Sequence, residues 1–184
     1  MAVAGNAAAA NLDGFLYVIL NSFSQTAMTF TGQHVGAGLS QRIKKILWRC
    51  CLCATVAGIV GGFLLYTFRQ PLLSIYITDS PEAIAYGAIR FVYIALPYFL
   101  CGLMDVVTGS LRGMGAALAP MIISVLGVCG LRIGWVLTVF RIPQFHTLEM
   151  LYFSYPISWI ITFAFQLLAF AIFYRQMQKS SVTL

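Results

Sequence analysis

Long apolar stretches separated by short polar segments run through the whole sequence. Each stretch reaches the roughly 20 residues that an α-helix needs to cross a bilayer. No alternating strand pattern competes with them, because an open sheet edge would leave its backbone polar groups unpaired in hydrocarbon. The pattern therefore predicts an all-α, polytopic membrane protein with five transmembrane helices, over residues 6–38, 47–68, 84–111, 116–140 and 148–174.

Capping and helix-breaking residues mark the ends of these spans. The segment Asp79–Glu82 combines capping side chains, a proline at the first helical position and an acid in the first turn, which is typical of a helix start. Thr147 and Glu149 mark a similar start for the fifth span. Pro71 opens an apolar segment that is too short to cross and that we expect at the interface, whereas Pro97 predicts a kink in the third span.

The composition excludes several classes of protein. Hydrophobic residues make up 60% of the chain and charged residues only 9%, whereas a soluble domain carries about 25% charged residues. This balance excludes a soluble globular enzyme, a disordered tail and a disulfide-stabilised secreted module. No basic residue precedes the first apolar stretch, so we expect no signal peptide but a chain that starts just before a helix of a larger protein.

The net charge of +6 would suggest nucleic-acid binding in a soluble protein, but here the basic residues lie between the apolar stretches. We therefore expect no nucleic-acid partner and apply the positive-inside rule. With alternating spans, one side carries seven basic residues, namely Arg42, Lys44, Lys45, Arg49, Arg112, Arg175 and Lys179. The other side carries three, together with most of the acids: Arg69, Arg90, Arg141, Asp79, Glu82 and Glu149. This bias predicts an outside N-terminus and a cytoplasmic C-terminus.

Asp105 lies deep in the third span, about 10 Å along the helix from Arg112. At about 100° per residue it shares a stripe with Tyr98, Cys101 and Thr108. A lone ionised carboxylate is costly at that depth, which suits a group that gains and loses a proton or a sodium ion. Asp105 is therefore our candidate site for a coupling cation. The alternative is a neutral carboxyl group held by hydrogen bonds from a neighbouring helix.

Asp13 and Arg132 are the other deep ionisable residues. Counted from Asn6 and Arg141, they lie about 10 Å and 13 Å below the outer surface. Since these depths agree within one helical turn, a structural ion pair between Asp13 and Arg132 is geometrically possible. Backbone carbonyl groups or water are the alternative partners.

Polar residues occupy two opposite faces of the first span, one of which contains Asp13, Ser24 and Thr31. One face can line a wet cavity while the other joins helices, and the sequence leaves open which does which. The candidates for cavity lining are the residues of the other face and one aromatic residue of the third span: Asn11, Asn21, Ser22, Gln25, Thr29 and Tyr98.

Enzymatic and metal-binding motifs are missing from the sequence. No nucleophile motif, phosphate-binding loop or paired acid and base occurs, so we expect neither an enzyme nor a cofactor. Cys50 and Cys53 have a CxxC spacing, but no second cysteine or histidine pair follows at the distance of a zinc site. We expect these cysteines to be packing residues, and no metal site other than a possible sodium site at Asp105.

Four strings in series resemble the C-terminal half of MATE multidrug exporters. They are AANLDGFLYVILNSFSQTAMTFTGQHVGAG, PLLSIYITDSPEAI, LPYFLCGLMDVVTGSLRGMG and PMIISVLGVCGLRIGWV, with a basic loop after the first. MATE transporters have twelve helices in two six-helix lobes. The resemblance implies that this chain supplies helices eight to twelve, which form most of one lobe, and that an N-terminal lobe of the same protein completes the transporter.

The resemblance also implies a function. MATE transporters export organic, often cationic, compounds in exchange for sodium ions or protons, here from a bacterial inner or plasma membrane. The implied partners are membrane lipid, small organic substrates and the missing lobe, with no cofactor besides the coupling ion. In some members an acid on the tenth helix helps to form a cation site, and Asp105 is the acid on the matching helix. The alternatives are a lobe of a lipid-linked sugar flippase, which should have a more basic cavity, and a non-transporting membrane protein that assembles with a partner.

Overall fold

The computed structural model describes residues 2–78 and 80–180, which form helices joined by short turns and contain no strand. The α-helices of this part of the chain are α1 (Ala2–Gly36), α2 (Ile43–Thr67), α3 (Arg69–Tyr76), α4 (Pro81–Arg90), α5 (Tyr98–Gly113), α6 (Leu118–Ser124), α7 (Leu131–Leu137) and α8 (Leu148–Ser180). Segments of π-helix follow α4 and α6, at Phe91–Ala95 and Val125–Gly130. Short 3₁₀ turns cover Ser40–Arg42, Val139–Arg141 and Pro143–Phe145.

The helices combine into units that are long and apolar enough to cross a membrane. Four of these units are continuous: Val3–Gly36, Ser40–Thr67, Leu118–Arg141 and Leu148–Lys179. A fifth consists of Pro81–Ala95 and Tyr98–Gly113, which meet at an angle of 46°. Each unit overlaps one of the five spans predicted from the sequence, although the second begins seven residues earlier and the last ends five residues later than predicted. The prediction of an all-α, polytopic membrane protein is confirmed. The helix α3 has only 8 residues and is too short to cross.

Local capping explains where two of the spans begin. Ser80 precedes α4, and its Oγ accepts a hydrogen bond from the backbone N–H of Ala83 at 3.3 Å, with Pro81 at the first helical position. At the start of α8, the Oγ1 of Thr147 accepts the N–H three residues later, also at 3.3 Å. Both starts were predicted from the sequence. Asp79, the other capping candidate before α4, lies outside the described residues.

The bend in the third span lies at Pro97, where the sequence predicts a kink. Proline has no N–H to donate, and its ring displaces the carbonyl group one turn earlier. The preceding turn is π-helical, and the N–H of Leu96 donates to the carbonyl oxygen of Phe91, five residues back, at 3.1 Å. The proline and the wide turn together account for the change of direction.

The helix α5 lies at the centre of the bundle, in contact with α1, α2 and α8, while α4 packs on α1 and both α6 and α7 pack on α8. Small residues allow the closest approach. A Cβ atom at Gly109 would meet the carbonyl oxygen of Ser24 on α1, and one at Gly113 would meet that of Met28. Such close backbone packing holds helices together in lipid, where burial of apolar surface gives little driving force.

The start of α2 and the ends of α5 and α8 lie together at one end of the bundle. Ile43, Leu111 and Tyr174 belong to one buried apolar cluster there. The Nζ atom of Lys44 lies 4.7 Å from the centre of the Tyr174 ring. We call this the basic end, because the seven basic residues of the positive-inside count lie on the segments that meet there.

Candidate functional site

A polar network joins three helices inside the bundle, at the end opposite the basic end. The Nε of Arg90, at the end of α4, donates a hydrogen bond to Oδ2 of Asp13 on α1 at 2.8 Å. Its Nη1 donates to Oδ1 of Asn6 at 2.8 Å, and the hydroxyl of Tyr152 on α8 donates to the same oxygen at 3.1 Å. The side chains of Asp13 and Arg90 are only 3% and 12% exposed, so this is a buried ion pair.

This pair corrects the predicted pairing of Asp13 with Arg132. Arg90 lies nine residues after the start of α4 at Pro81, or about 13 Å along the helix, so its depth also matches that of Asp13. Depth therefore permits both pairings, and the packing decides between them: α4 lies against α1, whereas α7 lies against α8. Because Arg90 is buried, it no longer counts among the basic residues of the outer side. The positive-inside count then becomes seven basic residues on the cytoplasmic side against two on the outer side.

Arg132 has other partners. Its Nε donates to Oγ of Ser158 on α8 at 3.2 Å. Its guanidinium carbon lies 3.8 Å from the centre of the Tyr155 ring and 5.7 Å from that of Trp159. The guanidinium carbon of Arg90 lies 5.9 Å from the same Tyr155 ring. Two arginines thus share the aromatic side chains of α8, and cation–π attraction compensates part of the cost of burying their charge.

Asp105 differs from Asp13 because no basic side chain of the described residues lies within ion-pair distance of its carboxylate. Its Oδ2 is buried and accepts no hydrogen bond, and Asp105 forms no ion pair with the described residues. The Oγ of Ser24 reaches Asp105 at 2.7 Å but donates to the backbone carbonyl oxygen rather than the carboxylate. One turn further on, Oγ1 of Thr108 is also buried without a hydrogen-bond partner. Two unpaired oxygen atoms therefore lie on the same face of α5.

The structure distinguishes the two polar faces of α1. The face with Asp13, Ser24 and Thr31 is buried against the neighbouring helices. The opposite face is half-buried at Asn21 and exposed at the remaining candidates on this helix: Asn11, Ser22, Gln25 and Thr29. The first face therefore joins helices. The second has no covering helix within the described part of the chain.

Tyr98 lies apart from the exposed face of α1. It begins α5, directly after the bend, and is half-buried. Its ring meets that of Trp159 edge to face, with centres 5.4 Å apart. Tyr98 thus packs between α5 and α8, on the aromatic group that also faces Arg132.

The sequence analysis missed Arg90, Asn6 and Tyr152 as members of the buried network. A signal for Arg90 was present, since its distance from Pro81 places it at the depth of Asp13. Neither Asn6 nor Tyr152 is distinguished by spacing from other polar residues near span ends. Their role follows only from the arrangement of α1, α4 and α8.

Comparison with known proteins identifies the family. The family model described as MatE matches residues 1–137, which is more than half of the chain. The chain belongs to the MatE family. The resemblance found in the sequence strings is thereby confirmed.

Curated relatives of this MatE chain are named as probable multidrug resistance proteins. NorM of Thermotoga maritima is 24% identical over 127 residues, which cover 69% of this chain and 27% of that protein. YoeA of Bacillus subtilis is 26% identical over 136 residues, covering 72% of this chain and 28% of that protein. NorM of Halalkalibacterium halodurans is 28% identical over 141 residues, covering 75% and 30%. The chain thus spans less than a third of the length of these relatives.

The fold is similar to part of a solved transporter. The crystal structure of the Vibrio cholerae MATE transporter VcmN in the bent form matches with a TM-score of 0.83 at 16% sequence identity. The match covers 96% of this chain and 40% of that chain. The arrangement of helices in this MatE chain is therefore one that occurs within a complete MATE transporter.

Proposed function

We propose that this MatE chain forms part of a secondary active transporter that exports organic, often cationic, compounds in exchange for sodium ions or protons. Three observations support the proposal: the membrane-spanning fold, the family, and the names of the relatives and of the structural neighbour. In this proposal the chain works in the cell membrane together with a second lobe, since it covers only 40% of the VcmN chain. Alternating access then comes from the rocking of two lobes around a site between them.

The unpaired carboxylate of Asp105 is the observation that carries the proposed coupling role. Asp13 and Asp105 are the two acids that lie deep inside the described spans, away from the span ends. Asp13 already has a counter-charge in Arg90, so exchange of a cation there would have to break a buried ion pair. The buried Oδ2 of Asp105 accepts no hydrogen bond from the described residues. A proton or a small cation would neutralise it without displacing another group. For sodium, Oγ1 of Thr108 offers a second oxygen ligand of the kind that hard cations prefer.

The exposed polar face of α1 supports a role in substrate passage. Its side chains are neutral hydrogen-bonding groups such as Asn11 and Gln25, with no fixed charge to repel an organic cation. We propose that this face lines the cavity between the two lobes. Polar side chains in such numbers are costly against lipid, which favours a wet surface.

The test is the Asp105→Asn variant in the assembled transporter, with the second lobe present. Asn keeps the shape of the side chain but cannot titrate or carry charge. We expect ion-driven efflux of an organic cation such as ethidium to fall sharply, because the variant can no longer exchange a coupling ion at this position. Expression and thermal stability should stay normal. Efflux driven separately by a sodium gradient and by a proton gradient identifies the ion.

Asp13→Asn is the matched control, since it removes the other buried carboxylate. We expect it to lower stability through loss of the Arg90 pair, with efflux per folded molecule largely retained. Full ion-driven efflux by the Asp105→Asn protein would contradict the coupling role and leave Asp105 as a packing residue.

A further inference from the structure

A cavity of about 530 Å³ opens between α1 and the start of α2 at the basic end. One wall, which we call the α2 wall, is formed by the end of the Ser40–Arg42 turn and the start of α2 and carries Arg42, Lys45 and Arg49. The α1 wall includes Thr26 and His34. The three basic residues of the α2 wall follow one another at spacings of three and four, so they share one face of the helix. All three are exposed.

No acidic side chain in the described part of the chain neutralises this wall. Within residues 2–78 and 80–180, Arg42, Lys45 and Arg49 form no ion pair, whereas Asp13 and Arg90 do. The sequence holds only five acids, and none of them lies on the segments that form the basic end. Like charges at these helical spacings repel one another. The cavity is therefore electrostatically complementary to an anion that this part of the chain does not supply.

The remaining walls of the cavity are largely apolar. Phe30 on α1 and Ile46 and Cys50 on α2 continue it toward the middle of the bundle. Ile46 and Cys50 lie on the helix face next to that of Lys45 and Arg49, so an apolar strip runs beside the charges along about 12 Å of the wall. Trp48, which lies at the same height on another face of α2, is 71% exposed, as is typical of a tryptophan at a membrane interface. The site suits a ligand with an anionic head and an apolar tail.

We propose that this cavity binds an anionic phospholipid from the leaflet at the basic end. The lipid phosphate lies against Arg42, Lys45 and Arg49, and the upper acyl chain lies along Phe30, Ile46 and Cys50. Basic pockets between transmembrane helices bind anionic headgroups in this way. The cavity is lined neither by Asp105 nor by the α1 candidates Asn11, Ser22, Gln25 and Thr29, and its charge would repel an organic cation. It is thus a lipid site rather than part of the proposed export route.

The test compares two double variants that each remove two positive charges from the basic end. Lys45→Gln with Arg49→Gln changes the cavity wall, whereas Arg175→Gln with Lys179→Gln changes the end of α8 outside the cavity. The protein is purified as its host produces it, with any further lobe that it carries. Binding of phosphatidylglycerol and of phosphatidylcholine is measured by native mass spectrometry from detergent micelles.

We expect the unaltered protein to prefer phosphatidylglycerol, and the cavity double variant to lose about 30-fold in affinity for it, since each basic side chain contributes roughly fivefold. The α8 double variant should stay close to the unaltered protein. Absence of a preference for phosphatidylglycerol, or equal losses in both double variants, would overturn the proposal. Displacement of the lipid by millimolar inorganic phosphate would assign the site to free phosphate instead and also overturn it.

Thermal stability in two bilayers provides a second measurement. It compares the cavity double variant with the unaltered protein in each lipid, so it remains informative even if the substitutions change the stability of the fold. In phosphatidylcholine nanodiscs the cavity double variant should be at least as stable as the unaltered protein, because the repulsion within the wall is relieved. In nanodiscs with added phosphatidylglycerol the order should reverse, since only the unaltered protein gains the bound lipid. The same order in both bilayers would contradict the proposed site.

Discussion

Double-mutant cycles can test whether Asp13 pairs with Arg90, as in the structure, or with Arg132, as the depths of the two residues also allow. Removal of one partner strands a buried charge, which costs about 3–5 kcal/mol of unfolding free energy. We expect a loss of this size for Arg90→Gln, because within the described residues Arg90 is the hydrogen-bond donor to Asp13 and Oδ1 of Asp13 accepts none. Asp13→Asn should cost less, about 1–3 kcal/mol, because Arg90 keeps its hydrogen bond to Asn6.

The double variant should lose less than the sum of the two single losses. Asn at position 13 and Gln at position 90 can hydrogen-bond to each other without charge, so we expect a coupling energy of about 2 kcal/mol or more. The measurement is equilibrium unfolding in mixed micelles by titration with sodium dodecyl sulfate. Lowering the pH should recover part of the loss in the Arg90→Gln protein only, because a stranded carboxylate can take up a proton.

The matched control is the same cycle with Arg132. Because Arg132 contacts Ser158, Tyr155 and Trp159 rather than Asp13, the losses from Asp13→Asn and Arg132→Gln should add within about 0.5 kcal/mol. Additive losses in the Arg90 cycle, or strong coupling in the Arg132 cycle, would refute the assignment of the pair.

Two further predictions concern packing and topology. Gly109→Ala should destabilise the protein by about 1–3 kcal/mol in the same unfolding assay, since the new methyl group meets the carbonyl oxygen of Ser24. The control Gly134→Ala should be neutral or stabilising, because its methyl group meets nothing within 4 Å. Equal effects of the two changes would argue against close packing of α1 on α5. In a cysteine-free background, a cysteine in place of Lys44 should react with a membrane-impermeant reagent only after permeabilisation, and one in place of Glu149 should react in intact cells. The reverse labelling pattern would invert the predicted orientation.

Several features of this MatE chain could be predicted from the sequence because they depend on short stretches. The length of an apolar run decides whether a helix can cross the bilayer, so all five spans were recognised. The start of α4 at Ser80 and Pro81 is set by one hydrogen bond and one fixed backbone angle within a single turn. The bend at Pro97 has an equally local cause, the missing N–H of proline.

Which buried groups meet could be decided only by the tertiary structure. Helical rise gives the depth of a residue, and Arg90 and Arg132 both match the depth of Asp13, so the arrangement of neighbouring helices was needed to choose between them. In the same way, periodicity shows that α1 has two polar faces, but only the packing of α5 and α4 against one of them shows that Ser24 is buried and Gln25 exposed. The depth and the angular position of a residue are set by its own helix and can be read from the sequence. A contact also depends on how two helices are placed and rotated relative to each other, which no single stretch of sequence determines.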